Sequence, residues 1–174
     1  MRRALALVAV VAMLGMGGVG VAAKAPPKVG ANPIGKPITV YGEDRKESAT
    51  ITLVELVDPF DDYSEFGGPS ADQRDMLAVL EVEVTGKRPY EFTPYNFSVV
   101  DTLGHLASYG FASRSDASTV ETPDLEEGNL LPGESATGAI VFSVAEDAEL
   151  TQLVYTGYAD VQFLYLVADL TADE

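Results

Sequence analysis

The chain has 174 residues and carries 27 Asp and Glu against 11 Lys and Arg, a formal net charge of −16. A field of that sign repels nucleic acid and anionic lipid surfaces, which argues against both as partners of the folded domain. The chain has no cysteine, which excludes disulfides, thiolate metal sites and cysteine nucleophiles.

The N-terminus has the pattern of a secretory signal peptide. Arg2 and Arg3 precede an apolar run over residues 4–16, and a small-residue tract ends at Ala23, where we expect cleavage. Removing residues 1–23 would leave nine cations against 27 carboxylates, a formal charge of −18. The alternative is an uncleaved N-terminal anchor, because residues 4–23 have about the length that spans a bilayer. Both interpretations place the domain outside the cytoplasm, secreted or at the cell surface.

Residues 24–37 are predicted to form a linker, since four prolines and two glycines favour extended backbone there. The folded domain then occupies residues 38–172. Its first strand is predicted over residues 38–41 and its second over residues 49–57, with a charged turn between them. The apolar residues of the second strand change faces midway, which predicts a β-bulge near Leu53 and Val54.

The clearest element is the strand that ends at Gly86. Its side chains alternate between an apolar face and a face predicted to be in water, as in a half-buried strand. The apolar face consists of Ala78, Leu80, Val82 and Val84, and the wet face of Val79, Glu81, Glu83 and Thr85.

Five further strands are predicted, with long polar loops over residues 58–75 and 113–131. They cover residues 97–101, 105–112, 136–144, 150–158 and 161–170. About eight short strands without an amphipathic helix predict an antiparallel β-sandwich. The period of two places one set of side chains in a single core between the sheets. That set is Ala78, Leu80, Val82, Val84, Phe97, Val99, Ile140, Phe142 and Val144.

The order AVLEVEVTG, NFSVVDTLGH, a long loop and LLPGESATGAIVFSV resembles the immunoprotective extracellular protein family of secreted actinobacterial antigens and related bacterial lipoprotein domains. The resemblance covers residues 36–170 and implies an immunoglobulin-like β-sandwich outside the cytoplasm. Two positions depart from the family pattern, Val84 where Asn is usual and Ala145 where Pro is common. The family supplies no active site, so the resemblance implies no catalytic residue.

Asp58, Asp61, Asp62 and Glu65 lie within one loop and form a candidate calcium site, because Ca²⁺ takes several carboxylate oxygens. Their spacing does not match an EF-hand, and the alternative is a solvated acidic loop. Phe60, Tyr63 and Phe66 in the same loop form a candidate partner-binding surface. The alternative for these rings is that they cap the core.

His105, the one histidine, follows a turn glycine near Asp101 and Ser108, and we interpret it as an exposed turn residue without a catalytic role. We therefore predict no enzyme activity and no required cofactor. The predicted function is an exported domain that binds a protein or cell-envelope component through its loops. The alternatives are a Ca²⁺-stabilised envelope module and, more remotely, a hydrolase.

Overall fold

The structure, a computed structural model, describes residues 32–42, 44–64, 67–110, 114–115, 118–157 and 164–171. The predicted signal peptide lies outside these ranges. Within them there is no helix that is long and apolar enough to cross a membrane. The described residues form one 3-10 helix, Pro94–Asn96, and ten strands. The strands are β1 Ile38–Tyr41, β2 Glu47–Phe60, β3 Gln73–Glu83, β4 Tyr90–Phe92, β5 Phe97–Asp101, β6 Leu106–Gly110, β7 Gly128–Leu130, β8 Ser135–Ala145, β9 Leu150–Thr156 and β10 Leu164–Asp169.

Eight strands form two antiparallel layers that are joined at one corner by β6. The first layer has the order β1-β2-β3-β8 and the second the order β6-β5-β9-β10. Residues 106–108 of β6 pair with β5, whereas Tyr109 and Gly110 pair with β8, so the strand changes layers along its length. At the opposite side, the Tyr165 hydroxyl donates to the Tyr41 carbonyl over 3.2 Å, which links β10 to β1. The predicted all-β antiparallel sandwich is confirmed.

The core between the layers contains the predicted residues. All nine side chains of the predicted set belong to one buried cluster, and Leu80, Phe97 and Phe142 are fully buried. The β3–β8 register places Ala78 opposite Ile140, so the two central strands of the first layer present their apolar side chains together. Glu83 is exposed on the other face. The predicted phase of β3 is therefore correct.

The prediction that the outer face of β3 is wet is wrong for its first half. Val79 is buried, and it packs in a second, smaller core with Leu77 of the same strand. Phe60 at the end of β2, Val120 of the second long loop and the outer face of β8 complete this core, and the loops fold over the outer face of the first layer. The loops cover the apolar positions of that face and leave the end near Glu83 in water.

The bulge predicted in β2 is confirmed, because the β2–β3 register shifts between Leu53 and Glu55. The short strands β4 and β7 are absent from the sequence-based prediction. They pair only with each other, and β4 buries Tyr90 and Phe92. Three residues are too few to show an alternating pattern, and prolines flank β4 on both sides, which explains why it is missed.

Candidate functional site

Asp58 of the predicted calcium site is engaged by an arginine. Arg74 donates from Nε and Nη2 to the two carboxylate oxygens of Asp58, over 2.8 and 3.1 Å. The same guanidinium donates to the carbonyls of Ala145, Glu146 and Ala148 at the turn after β8. The hydrogen bonds from Arg74 to the Asp58 carboxylate raise the pKa of Arg74. The prediction that Asp58 lies in a loop is wrong, since β2 extends to Phe60, and its pair with Arg74 of β3 ties these two strands to the turn after β8.

Asp62 holds the second long loop. Its carboxylate accepts the Thr119 amide over 2.8 Å and the Thr119 hydroxyl over 2.9 Å. The bond from the Thr119 amide is the main reason that the pKa of Asp62 is lowered. Among the described residues no three His, Asp or Glu side chains are arranged to hold a metal ion. Glu65 lies outside the described residues, so the calcium site remains a prediction.

Phe60, which ends β2, and Tyr63, which follows in the first loop, pack in the second core. Phe60 is 1% exposed, and Tyr63 packs against it edge to face with ring centroids 5.5 Å apart. The Tyr63 hydroxyl donates to the Phe60 carbonyl, which fixes the ring over the loop. Phe66 lies outside the described residues. The Phe60 side chain is buried and therefore cannot contact a partner in this conformation. A binding role for this loop remains a prediction.

His105 lies at the tip of the β5–β6 hairpin and is 75% exposed. Its Nδ1 lies 2.9 Å from Oδ2 of Asp101, whose Oδ1 accepts the amides of Leu103 and His105. Partial burial acts to raise the pKa of Asp101, but the hydrogen bonds from His105 and Leu103 outweigh it and lower that pKa. Asp101 thus organises the turn, and the imidazole stands in water beside it.

The cations of the chain separate into two groups by what they contact. Arg74 and Arg114 are engaged inside the fold, since Arg114 donates to the Asp124 carboxylate over 2.6 Å and to the carbonyls of Val120 and Thr122. Four of the other five described cations lie at one end of the molecule. They occupy the turn between β1 and β2 and the loop after β3: Arg45, Lys46, Lys87 and Arg88.

These two segments enclose a groove of about 540 Å³, which we call the turn groove. Three cations, two hydroxyl side chains and two carboxylates line it. Its lining residues are Asp44, Lys46, Glu47, Ser48, Thr85, Gly86, Lys87 and Arg88. Among the residues that line the turn groove, cations therefore outnumber carboxylates by one in an otherwise acidic chain.

Two glycines allow the segments of the turn groove to approach each other. The Gly86 amide donates to the Ser48 carbonyl over 2.9 Å, and a Cβ on Gly86 would lie 2.7 Å from the Glu47 carbonyl oxygen. A Cβ on Gly42 would lie 2.6 Å from the Ser48 hydroxyl. The close neighbours of Gly86 are backbone atoms that cannot move aside, so glycine is required there, whereas the Ser48 hydroxyl near Gly42 belongs to a side chain that can rotate away.

Asp44 orders the cationic turn. Its Oδ1 accepts the Lys46 amide over 3.1 Å, and its Oδ2 lies 3.4 Å from the Lys46 ammonium, which is 79% exposed. The bond from the Lys46 amide is the main cause of a lowered pKa at Asp44, and the charges of Lys46 and Arg88 act in the same direction. The carboxylate shapes the turn while the cationic groups remain open to solvent.

The turn groove is missing from the sequence-based prediction, which treats residues 42–46 only as a charged turn. The available signal was two dibasic pairs, Arg45-Lys46 and Lys87-Arg88, in a strongly acidic chain. Their juxtaposition follows from the β2–β3 register, in which Thr50 lies opposite Glu83. The start of one strand and the end of the other then lie side by side.

A domain of unknown function, DUF4352, matches residues 43–162 of this chain. No curated protein matches the chain by sequence. Among solved structures, the chain is similar to the secreted protein MPT63 of Mycobacterium tuberculosis, with 12% identity, a TM-score of 0.54 and coverage of 81% of this chain and 99% of that one. These comparisons confirm the predicted resemblance to secreted actinobacterial antigens.

Two Bacillus subtilis proteins have the same fold. YjhA matches at 16% identity with a TM-score of 0.52, covering 76% of this chain and 96% of that one. YcdA, a candidate lipoprotein, matches at 16% identity with a TM-score of 0.52 over 70% of this chain. The match spans 37% of the YcdA chain. At these identities the likeness establishes the fold alone.

Proposed function

The chain belongs to the DUF4352 family of domains of unknown function, and from that premise we propose that it is an exported, non-enzymatic domain that binds a protein or cell-envelope component through its loops. The observation that carries this proposal is the turn groove. Two loops separated in sequence are packed together there, and they bring exposed cations to one end of an acidic molecule. Binding sites commonly lie on loops that a rigid scaffold holds in place.

The surroundings of His105 support binding over catalysis. A Ser–His–Asp hydrolase needs a nucleophile at the imidazole and a site from which water is excluded. Here the ring is 75% exposed, and its described polar contact is with Asp101, whose other oxygen accepts two backbone amides. A small hollow of about 130 Å³ beside the ring is lined mainly by aliphatic side chains, and the hydroxyl of Ser143, which also lines it, donates to Asp75 over 2.6 Å. Neither the exposed His105–Asp101 pair nor the hollow beside it would activate a hydroxyl group as a nucleophile.

An extracytoplasmic location is supported by two observations. The first is the signal-peptide pattern of residues 1–23 in the sequence. The second is that the chain shares its fold with a secreted mycobacterial protein and with a candidate lipoprotein of Bacillus subtilis.

The proposal is tested by expressing the full chain in a bacterial host and collecting the exported protein. The labelled protein is then mixed with isolated bacterial envelopes and sedimented. We expect saturable binding that an excess of unlabelled protein displaces. Binding that never saturates would contradict the proposal, as would hydrolysis of an ester, glycoside or peptide that is lost in a folded His105→Ala variant.

A further inference from the structure

We infer that the turn groove is a binding site for a phosphate group, with Lys46, Lys87 and Arg88 as its cationic ligands. This inference rests on the proposed binding function and specifies the chemistry of the partner. Its geometric basis is the packing of the loop after β3 against the start of β2, which brings the three cations to one groove.

The charge of the lining favours an anion of small size. Its three cations face two carboxylates, Asp44 and Glu47, which leaves a formal surplus of one positive charge. Arg45 and Glu43 of the same turn carry one charge of each sign and leave this surplus unchanged. The rest of the chain is strongly negative, but charges more than about 8 Å away are largely screened at physiological ionic strength. The local cations therefore dominate the field inside the groove.

The donor groups of the lining favour phosphate over carboxylate. Lys46 and Lys87 provide ammonium groups, Arg88 a planar guanidinium, and Ser48 and Thr85 hydroxyl groups. A carboxylate offers two oxygen atoms, whereas a terminal phosphate offers three, arranged so that several donors can bind at once. Five donor side chains around one groove are better matched by the larger set of acceptors.

The overall charge restricts how the phosphate is presented. A net charge of −16 repels a broad anionic surface such as a duplex nucleic acid or an acidic membrane. A single phosphate group can enter the groove without bringing other negative charges against the acidic faces. The partner is therefore a compact phosphorylated compound, and the alternative source of the same chemistry is a phospholipid headgroup.

The test uses the exported protein and inorganic pyrophosphate as the probe, with isothermal titration calorimetry at about 20 and 200 mM NaCl to vary screening. The test variant combines Lys87→Gln with Arg88→Gln. The control is Lys36→Gln. Lys36 is an exposed cation that precedes β1, whereas the turn groove lies beyond the opposite end of that strand. All three residues are exposed, so circular dichroism should show an unchanged fold in each variant.

We expect saturable pyrophosphate binding that weakens at high salt. The double variant should lose about tenfold or more in affinity, since it removes two of the three cationic ligands. The Lys36→Gln control should bind like the wild type. Equal affinity in the wild type and the double variant would overturn the inference, and so would acetate binding as tightly as pyrophosphate.

A second arm identifies the source of the phosphate. Vesicles of phosphatidylglycerol are sedimented with the wild type and with the double variant. Cosedimentation of the wild type alone would assign the phosphate to a lipid headgroup, and its absence would assign it to a soluble compound. The inference fails separately from the proposed function: equal pyrophosphate affinity in the wild type and the double variant, together with saturable envelope binding, would overturn the phosphate site and leave the binding function standing.

Discussion

The Gly86 amide donates to the Ser48 carbonyl over 2.9 Å, and this contact holds the loop after β3 against the first residues of β2. Because Gly86 has no side chain, the two backbones can approach closely enough for Lys87 and Arg88 to share a groove with Lys46. The site is therefore a consequence of backbone packing.

Replacing Gly86 by alanine tests this relationship. The added methyl group would lie 2.7 Å from the Glu47 carbonyl oxygen and 2.9 Å from the Ser48 Cα atom, both of them backbone atoms. We expect a loss of about 1–3 kcal/mol in the free energy of unfolding, as for other overpacked positions, measured by urea denaturation. Gly128→Ala is the comparison, since its methyl group would lie 3.2 Å from the ring of buried Phe92 and meet no backbone atom, so we expect a smaller loss. Equal stability of the two variants would contradict this interpretation.

The buried hydroxyls of Tyr90 and Tyr155 lie 2.8 Å apart and join β4 to β9. Replacing Tyr90 by Phe leaves the Tyr155 hydroxyl without this partner in the core. We expect a loss of about 0.5–1.5 kcal/mol, the net contribution of one hydrogen bond, because Asn96 still interacts with the Tyr155 hydroxyl. Chemical denaturation at neutral pH measures it. Tyr95→Phe serves as the control, since that ring is 71% exposed and its hydroxyl is reached by water.

The same pair predicts how stability changes in alkali. Burial is the main cause that raises the pKa of both Tyr90 and Tyr155 above the ordinary tyrosine value of 10.0. The folded state therefore keeps both protons at a pH where the unfolded state loses them. This stabilisation is fully present below about pH 10 and is lost progressively as the pH rises further. Melting temperatures from pH 8 to 11 should fall, and a flat profile would contradict the assignment.

Which face of β3 points into the core is tested by two residues on opposite faces of that strand. Leu80→Ala should cost about 2–5 kcal/mol because it leaves a cavity between the layers. Glu83→Gln changes an exposed side chain and should stay within about 0.5 kcal/mol of the wild type. Urea denaturation gives both values. A larger loss at Glu83 than at Leu80 would mean that the faces of β3 are reversed.

Replacing Asp62 tests whether the first loop binds calcium or only stabilises the fold. Since Thr119 and Arg74 already engage Asp62 and Asp58, we expect Ca²⁺ and Na⁺ to shift the melting temperature equally at matched ionic strength. Asp62→Asn should lower the melting temperature with either salt. A rise specific to millimolar Ca²⁺ that disappears in Asp62→Asn would instead establish the calcium site.

The sequence predicts the parts of this fold that depend on local periodicity. The alternation around Leu80 fixes the phase of β3, and the Asp101 turn follows from the preference of Asp and Gly for turns. The burial of Val79 was not predictable in this way, because it depends on loops that are distant in sequence. The turn groove has the same origin, since Lys46 and Lys87 meet only through the register of β2 with β3.

The most direct test of a binding site in the turn groove is a residue-resolved titration. Amide chemical shifts of the ¹⁵N-labelled exported protein are followed as inorganic pyrophosphate is added, with sodium chloride at matched ionic strength as the reference. We expect saturable shifts concentrated at residues 44–48 and 85–88, and their loss in the Lys87→Gln, Arg88→Gln variant. Shifts spread over the whole surface, or concentrated at the acidic loops, would contradict the account.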